Sequence, residues 1–386
     1  MITNNISRNY TGVYAKAGSG TVLEECLIAD NTAQYASGGG AYLGDGVVAR
    51  NCRFIGNMAE NQAAGGIYAK GCTLSGCLIS NNVAKCGGGV CVVTDDIAAT
   101  IVGCRFIDNE ASFAGGGLHV GFIYNVSNSD GTEGYANVAD CIFVKNRANA
   151  DSSTSGSYYG GGAVALRTGD ISAGLFDRCV FADNETAGYG GAFTLRTSEN
   201  SEHGKALVAV RNSLFTGNRA ITGGTSKRYG GAMYLTSGDP VMVENCTFSG
   251  NEDESLNAGT AGNDDVCVRW SGVRVRNCIF ATPRFETNDI YKTACETNGF
   301  VGTGLPNNRV LASKGNFAVA DAKFADAANG DFSLRQDSPF VNVAATLGWM
   351  TDLSRDLAGN KRISSNGPDI GAYECQIPIG LRVMIR

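Results

Sequence analysis

The hexapeptide CRFIDN at residues 104–109 has eight relatives along the chain: CLIADN from Cys26, CRFIGN from Cys52, CLISNN from Cys77, CIFVKN from Cys141, CVFADN from Cys179, SLFTGN from Ser213, CTFSGN from Cys246 and a degenerate CIFATP from Cys278. A small residue, an Ile or Phe two places on and an Asn five places on, recurring at intervals of 25 to 38 residues, is the signature of a solenoid. Residues two apart on a strand face the same side, so the Cys column and the column Ile28, Phe54, Ile79, Phe106, Phe143, Phe181, Phe215, Phe248 and Phe280 share the interior face. The position between them includes Arg53, Arg105 and Thr247, which cannot all sit unpaired in an apolar core, and therefore faces outward.

Outward from this strand the rest of the rung can be read. Upstream, Val208 and Val210, Val241 and Val243, and Val273 and Val275 alternate with other residues, giving a strand that ends at Asn212, Asn245 or Asn277, where the chain bends. Downstream comes an asparagine column, Asn31, Asn57, Asn82, Asn109, Asn146, Asn184, Asn218 and Asn251. Asparagine tolerates left-handed backbone and its amide can bond neighbouring rungs, so these residues are expected to form a structural ladder at a turn. Glycine clusters such as Gly38 to Gly40, Gly115 to Gly117 and Gly160 to Gly162 mark a further corner, and a third strand leaves it, as in AVAL from Ala163 and AFTL from Ala192.

Three short strands per rung, spaced too closely for helices between them, can pair only with their equivalents one rung away. The expected fold is all-β: a single right-handed parallel β-helix with an irregular C-terminal cap, the hand set by the crossover rule. Nine rungs at about 4.8 Å give a shaft on the order of 45 Å. Residues 1–280 hold the repeats and 281–386 the terminating rungs and cap, since the glycine pairs stop near residue 281. Ile2-Thr3-Asn4-Asn5 matches the tail of a repeat, so the chain is expected to begin inside a rung, with an N-terminal cap and any export signal upstream.

Composition narrows the partners. The 53 glycines among 386 residues are positional, and a formal net charge of −6 argues against nucleic acid, whose binders carry basic stripes. No stretch has the roughly 18 consecutive apolar residues of a membrane helix, and the opening MITNNISRNY lacks a signal-peptide pattern. The 14 cysteines fall mostly on the repeat position, where reduced thiols pack as small hydrophobes. With two histidines and no C-x-x-C spacing, no metal site is expected through sulfur; no cofactor is assigned, calcium at turn acids being the one left open. The chain is expected to be a monomer.

The pairing of glycine corners with F-x-x-N, as in Phe54 to Asn57, Phe106 to Asn109 and Phe181 to Asn184, resembles the repeats of the polymorphic outer membrane proteins of chlamydiae across residues 1–280. SPFVN, DLAGNKR and DIGAYE near the C-terminus resemble the segment that closes choice-of-anchor secreted β-helix proteins. These resemblances imply a bacterial extracellular or cell-surface shaft, adhesin-like or structural, whose partner is a polysaccharide or a host or cell-surface protein.

Right-handed β-helices also host polysaccharide lyases and glycoside hydrolases, so a lyase or hydrolase of an acidic polysaccharide is a second reading, and a ligand-free rigid spacer a third. Rungs lengthen to 37 and 38 residues after Cys104 and Cys141, and the added loops are expected to wall a groove beside the third strand. Along it Arg167 and Arg196 occupy matching positions in ALRTGD and TLRTSE, with His119 one rung earlier and Tyr158, Tyr159 and Tyr229 on adjacent loops. Guanidinium on carboxylate and aromatic rings on sugar suit an anionic glycan, whereas pairing with Asp170 and Glu199 would make the arginines ordinary surface residues. No catalytic residue is assigned; Asp108, Glu110, Asp183 and Glu185, which flank the asparagine column, read as polar turn residues.

Overall fold

The computed structural model describes residues 1–9, 12–18, 20–93, 97–121, 134–149, 160–167, 172–196, 207–221, 229–237, 240–253, 265–269, 272–281, 285–287, 294–306, 310–364 and 367–376. Its strands stack in parallel to form one right-handed β-helix. Sheet A carries the Cys-x-Phe strands and sheet C the strands after the glycine corner. Sheet D carries the valine strands that precede each cysteine. A fourth sheet, B, adds to the three strands read from sequence: it is built of short strands such as Arg147–Ala148 and Glu185–Thr186, directly after the asparagine column. Two residues are too few for a period of two to show, which is why this side of the rung is silent in the sequence.

Register is kept despite unequal rung length. Phe106 pairs with Phe143, Phe143 with Phe181 and Phe181 with Phe215, and the rings of these pairs stack with centroids 4.4 to 5.0 Å apart. Sheet A continues past residue 280 through Gly299–Val301 and Phe317–Val319.

Two side-chain ladders hold the corners on either side of sheet A. At the corner between A and B, the Asn109 backbone N–H and Nδ2 both donate to Asn146 Oδ1 (3.2 and 2.9 Å), and Asn146 Nδ2 donates back to the Phe106 carbonyl (2.9 Å). The pattern repeats from Asn5 to Asn251, and Asn251 Nδ2 then donates to Asp265 Oδ1 at 2.8 Å. The left-handed backbone belongs to the residue before each asparagine, for instance Asp30 (φ 53°), Asp108 (φ 53°) and Asp183 (φ 54°). The ladder asparagines face inward, so their amides and not their backbone tolerance account for their presence.

At the corner between D and A, Asn212, Asn245 and Asn277 are left-handed (φ 48, 53 and 54°) and the following residue supplies the inward acceptor. Cys104 N–H donates to Cys141 Sγ at 3.4 Å, Cys179 N–H to Ser213 Oγ at 3.1 Å, and Cys278 N–H to Asn298 Oδ1 at 2.9 Å. The cysteine column is thus a hydrogen-bonded ladder in which serine and asparagine substitute. All 14 cysteines are free thiols; the thiol contact with Cys141, with burial behind it, pushes Cys104 up to about 12, and burial pushes Cys179 up to about 12. The glycine corner needs glycine for space as well as conformation: Gly115 sits at φ 65°, and a Cβ on Gly116 would lie 2.4 Å from the carbonyl oxygens of Arg147 and Gly162.

The cap does more than seal the end. Phe340 is buried with Ile279, Ala322, Leu334 and Ile370, while residues 342–364 and 367–375 fold back onto the last rungs. Ala372 N–H donates to Thr247 Oγ1 (3.0 Å), Gly371 N–H to the Asn277 carbonyl (2.8 Å), and Asn245 Nδ2 to the Asp369 carbonyl (3.1 Å). Trp349 stacks on the Arg211 guanidinium at 4.7 Å, and Arg211 in turn bonds the buried Glu244 (3.0 Å).

Asn146→Ala is expected to lower the unfolding free energy by about 3 kcal/mol, because it leaves the Asn109 donors and the Phe106 carbonyl unpaired in the interior; a loss under about 1 kcal/mol in denaturant titration would refute the ladder's role. Because thiolate is the reactive form, iodoacetamide at pH 8 should modify the native protein at Cys26, the one half-exposed thiol, and leave the buried column untouched by intact-mass measurement.

Candidate functional site

The outward face of sheet C carries two columns. One runs Tyr14, Tyr42, Tyr68, Cys91, His119, Ala165, Thr194, Tyr234 and Cys267; the other runs Gly121, Arg167, Arg196 and Thr236. Alternation along each strand generates both, since the residues between them, such as Leu166 and Leu195, fill the core. Arg167 and Arg196 are in-register neighbours, each half-buried, about one strand spacing apart. Thr236 follows in the same column.

His119 shares the face but not the column. It pairs with Cys91 and Ala165, Gly121 takes the arginine position in its rung, and it is 2% exposed. Its register partner Cys91 belongs to a satellite apolar cluster of Ala63, Ala64, Tyr68, Cys86, Cys91 and Val93, flanked by Tyr42 and Phe113. This explains Cys86 and Cys91, which stand off the repeat column: they pack outside the sheet, under the glycine corner. Burial pushes the Cys86 thiol up to about 12, opposed chiefly by the Arg167 charge, so that guanidinium lies near the cluster's edge.

Tyr229 stacks on Tyr189 (6.1 Å), and Tyr189 on Tyr234 (4.7 Å), at the corner leading into the strands Phe193–Arg196 and Met233–Thr236. At the other end Tyr14 stacks on Tyr42 (4.8 Å) and Tyr42 on Tyr68 (5.5 Å). Stacking of this kind turns ring faces toward one another, leaving edges and hydroxyl groups for a ligand alongside. Tyr158, Tyr159, Asp170 and Glu199 lie outside the described residues, as do most of the loops expected to wall the groove.

A second feature lies at the corner between sheets A and B: a depression of about 330 Å³ lined by Asp108, Asn109, Glu110, Lys145, Arg147, Asp183 and Glu185. In register along sheet B, Glu110, Arg147, Glu185, Arg219 and Glu252 alternate in sign. Glu185 is bracketed by Arg147 at 3.2 Å and Arg219 at 3.7 Å, and Glu110 accepts from Asn149 Nδ2 at 2.6 Å. Each of these carboxylates already has a partner, so the stripe pins register more readily than it presents two carboxyl groups across a glycosidic bond. Among the described residues no group of three or more His, Cys, Asp or Glu side chains is placed to hold a metal ion.

Comparison with known proteins agrees with the architecture. A family model described as the right-handed β-helix region matches residues 1–130. Among solved structures, the crystal structure of pectate lyase Pel9A aligns with a TM-score of 0.50 at 12% identity, covering 96% of this chain and 87% of that one; a likeness at that identity speaks to fold alone. No curated protein matches the chain.

Glu185→Arg would set three cationic side chains in successive rungs of sheet B. It should destabilise the protein by about 1–2 kcal/mol at low salt and by much less at about 1 M salt, where such interactions are screened; equal losses in both, read by chemical denaturation, would show that the stripe is not electrostatic.

Proposed function

We propose that this protein is an extracellular or cell-surface shaft that binds an anionic polysaccharide along the outward face of sheet C without cleaving it. The observation that carries the reading is the in-register pair Arg167 and Arg196 on a rigid sheet. Two half-buried guanidinium groups one rung apart match successive anionic groups on an extended polymer, and planar bidentate recognition of carboxylate is what arginine does best. Tyr229, on its tyrosine stack beside these strands, supplies a hydroxyl and a ring edge for sugar hydroxyl groups.

Three lines support the choice. The repeats resemble those of bacterial surface proteins, the fold neighbour's name, pectate lyase, belongs to acidic-polysaccharide chemistry, and a β-helix presents a long straight face suited to a linear polymer. Against catalysis stands the sheet B depression, where Glu185 is bracketed by Arg147 and Arg219 and Glu110 accepts from Asn149.

The test is a panel of immobilised uronate-containing and neutral polysaccharides, with a reducing-end and unsaturated-product assay run on every hit. Saturable binding to acidic polymers, weakened at least about tenfold (~1.4 kcal/mol) in Arg167→Ala/Arg196→Ala, is expected. Product release would instead establish a lyase or hydrolase, and binding that ignores the double substitution would place the contact elsewhere.

A further inference from the structure

Two cysteines stand outside the ladder and on either side of one turn. In Cys86-Gly87-Gly88-Gly89-Val90-Cys91 the sheet B strand Val83–Cys86 ends on the first, and the sheet C strand Val90–Val92 carries the second at its centre. Val90 and Val92 fill the core, so Cys91 faces outward, where it shares the satellite cluster with Cys86. The turn between them is tight. Gly87 sits at φ 60°, and a Cβ on it would run into the Val90 carbonyl and lie 3.1 Å from the Cys91 Cα. With Cys86 one residue before Gly87, the turn holds the two cysteine Cα atoms close to the separation of about 4.4–6.8 Å that a disulfide spans.

The thiols of the repeat column are employed differently. Cys26 N–H donates to Cys52 Sγ and Cys104 N–H to Cys141 Sγ, both at 3.4 Å, so oxidising that column would disturb bonds that join rungs. Cys86 and Cys91 lie outside it, and joining them leaves the ladder intact.

We propose that Cys86 and Cys91 form a redox-sensitive staple across the glycine corner, closed as a disulfide in an oxidising medium and open, as in this structure, in a reducing one.

Closure is a thiol–disulfide exchange. One cysteine thiolate attacks a sulfur of a small-molecule disulfide such as oxidised glutathione and expels one glutathione thiolate; the second attacks the protein sulfur of that mixed disulfide and expels the other. Two protein thiols thereby lose two electrons and two protons, and the oxidant leaves as two thiols. Burial pushes Cys86 up to about 12 and raises Cys91 as well, so the exchange belongs to the stage of folding before the cluster closes over the pair. The bond spans three glycines, the residues with the most freedom to lose on folding, and so removes disorder from the unfolded chain where there is most of it. It depends on the corner and on the redox medium, and not on the glycan reading.

The experiment reduces and unfolds the full chain, refolds it in mixtures of oxidised and reduced glutathione, alkylates the remaining thiols and cuts after Lys85 and Arg105, giving one peptide with Cys86, Cys91 and Cys104. That peptide should be two hydrogens lighter, with only Cys104 alkylated. The bond should persist in Cys104→Ser, a change the ladder accepts at Ser213, and vanish in Cys91→Ser. The amides of Gly87 to Val90, which bond the next rung, should exchange with solvent about tenfold more slowly in the oxidised protein. Both thiols alkylated, either one left joined to glutathione, either one paired with Cys104, or exchange indifferent to the bond would each overturn the staple. If the chain does not refold from denaturant, the same peptide is read from protein made in an oxidising and in a reducing compartment, and the same outcomes decide.

Discussion

Every rung must turn sharply at fixed places, and each turn leaves an inward backbone N–H that no strand can satisfy. The hydrogen bonds from those N–H groups to a side chain one rung on are the constraint from which the rest of the structure follows. At one corner the acceptor is an asparagine amide, at the other a thiol, a hydroxyl or an amide. Because an unpaired buried donor costs far more than a bond contributes, each rung is held to its neighbour at these points.

Rung length is consequently free to vary elsewhere. Asn109 and Asn146 are 37 residues apart and Asn57 and Asn82 are 25 apart, yet the bonds between them are alike in length. In sequence the added residues fall before and after the strands of sheet C, and the sheet itself keeps register. Arg167 and Arg196 are therefore aligned by the ladders on the far side of the rung, and a surface column inherits its order from a buried one.

The interior columns were legible because chemistry repeats there: cysteine, phenylalanine and asparagine recur where burial and hydrogen bonding permit few substitutes. Sheet B was not legible, since Arg147-Ala148 or Glu185-Thr186 carries no alternation long enough to notice. The left-handed turn position was misplaced by one residue because Asp30, Gly56, Asn81 and Lys145 all tolerate it and form no column of their own. His119 looked like a groove residue by its distance from a glycine corner, but its burial beside Cys91, itself part of the satellite cluster, is tertiary and spacing does not reveal it. The flap was equally hidden: DLAGNKR and PDIGAYE sit apart in sequence and meet only as a buried charge cluster.

The asparagine ladder also has a direction. In each rung the backbone N–H and one of the two Nδ2 hydrogens point to the Oδ1 of the next rung, while the other Nδ2 hydrogen turns back to a carbonyl of the preceding one, so the carbonyl-to-donor direction of the amides still runs head to tail from Asn5 to Asn251. Such a row polarises cooperatively and gathers partial positive charge at its donor end, as a helix does at its N-terminus. That end meets the carboxylate of Asp265. The column is thus a one-dimensional polar wire through the interior, terminated by a charge of the sign its own field calls for.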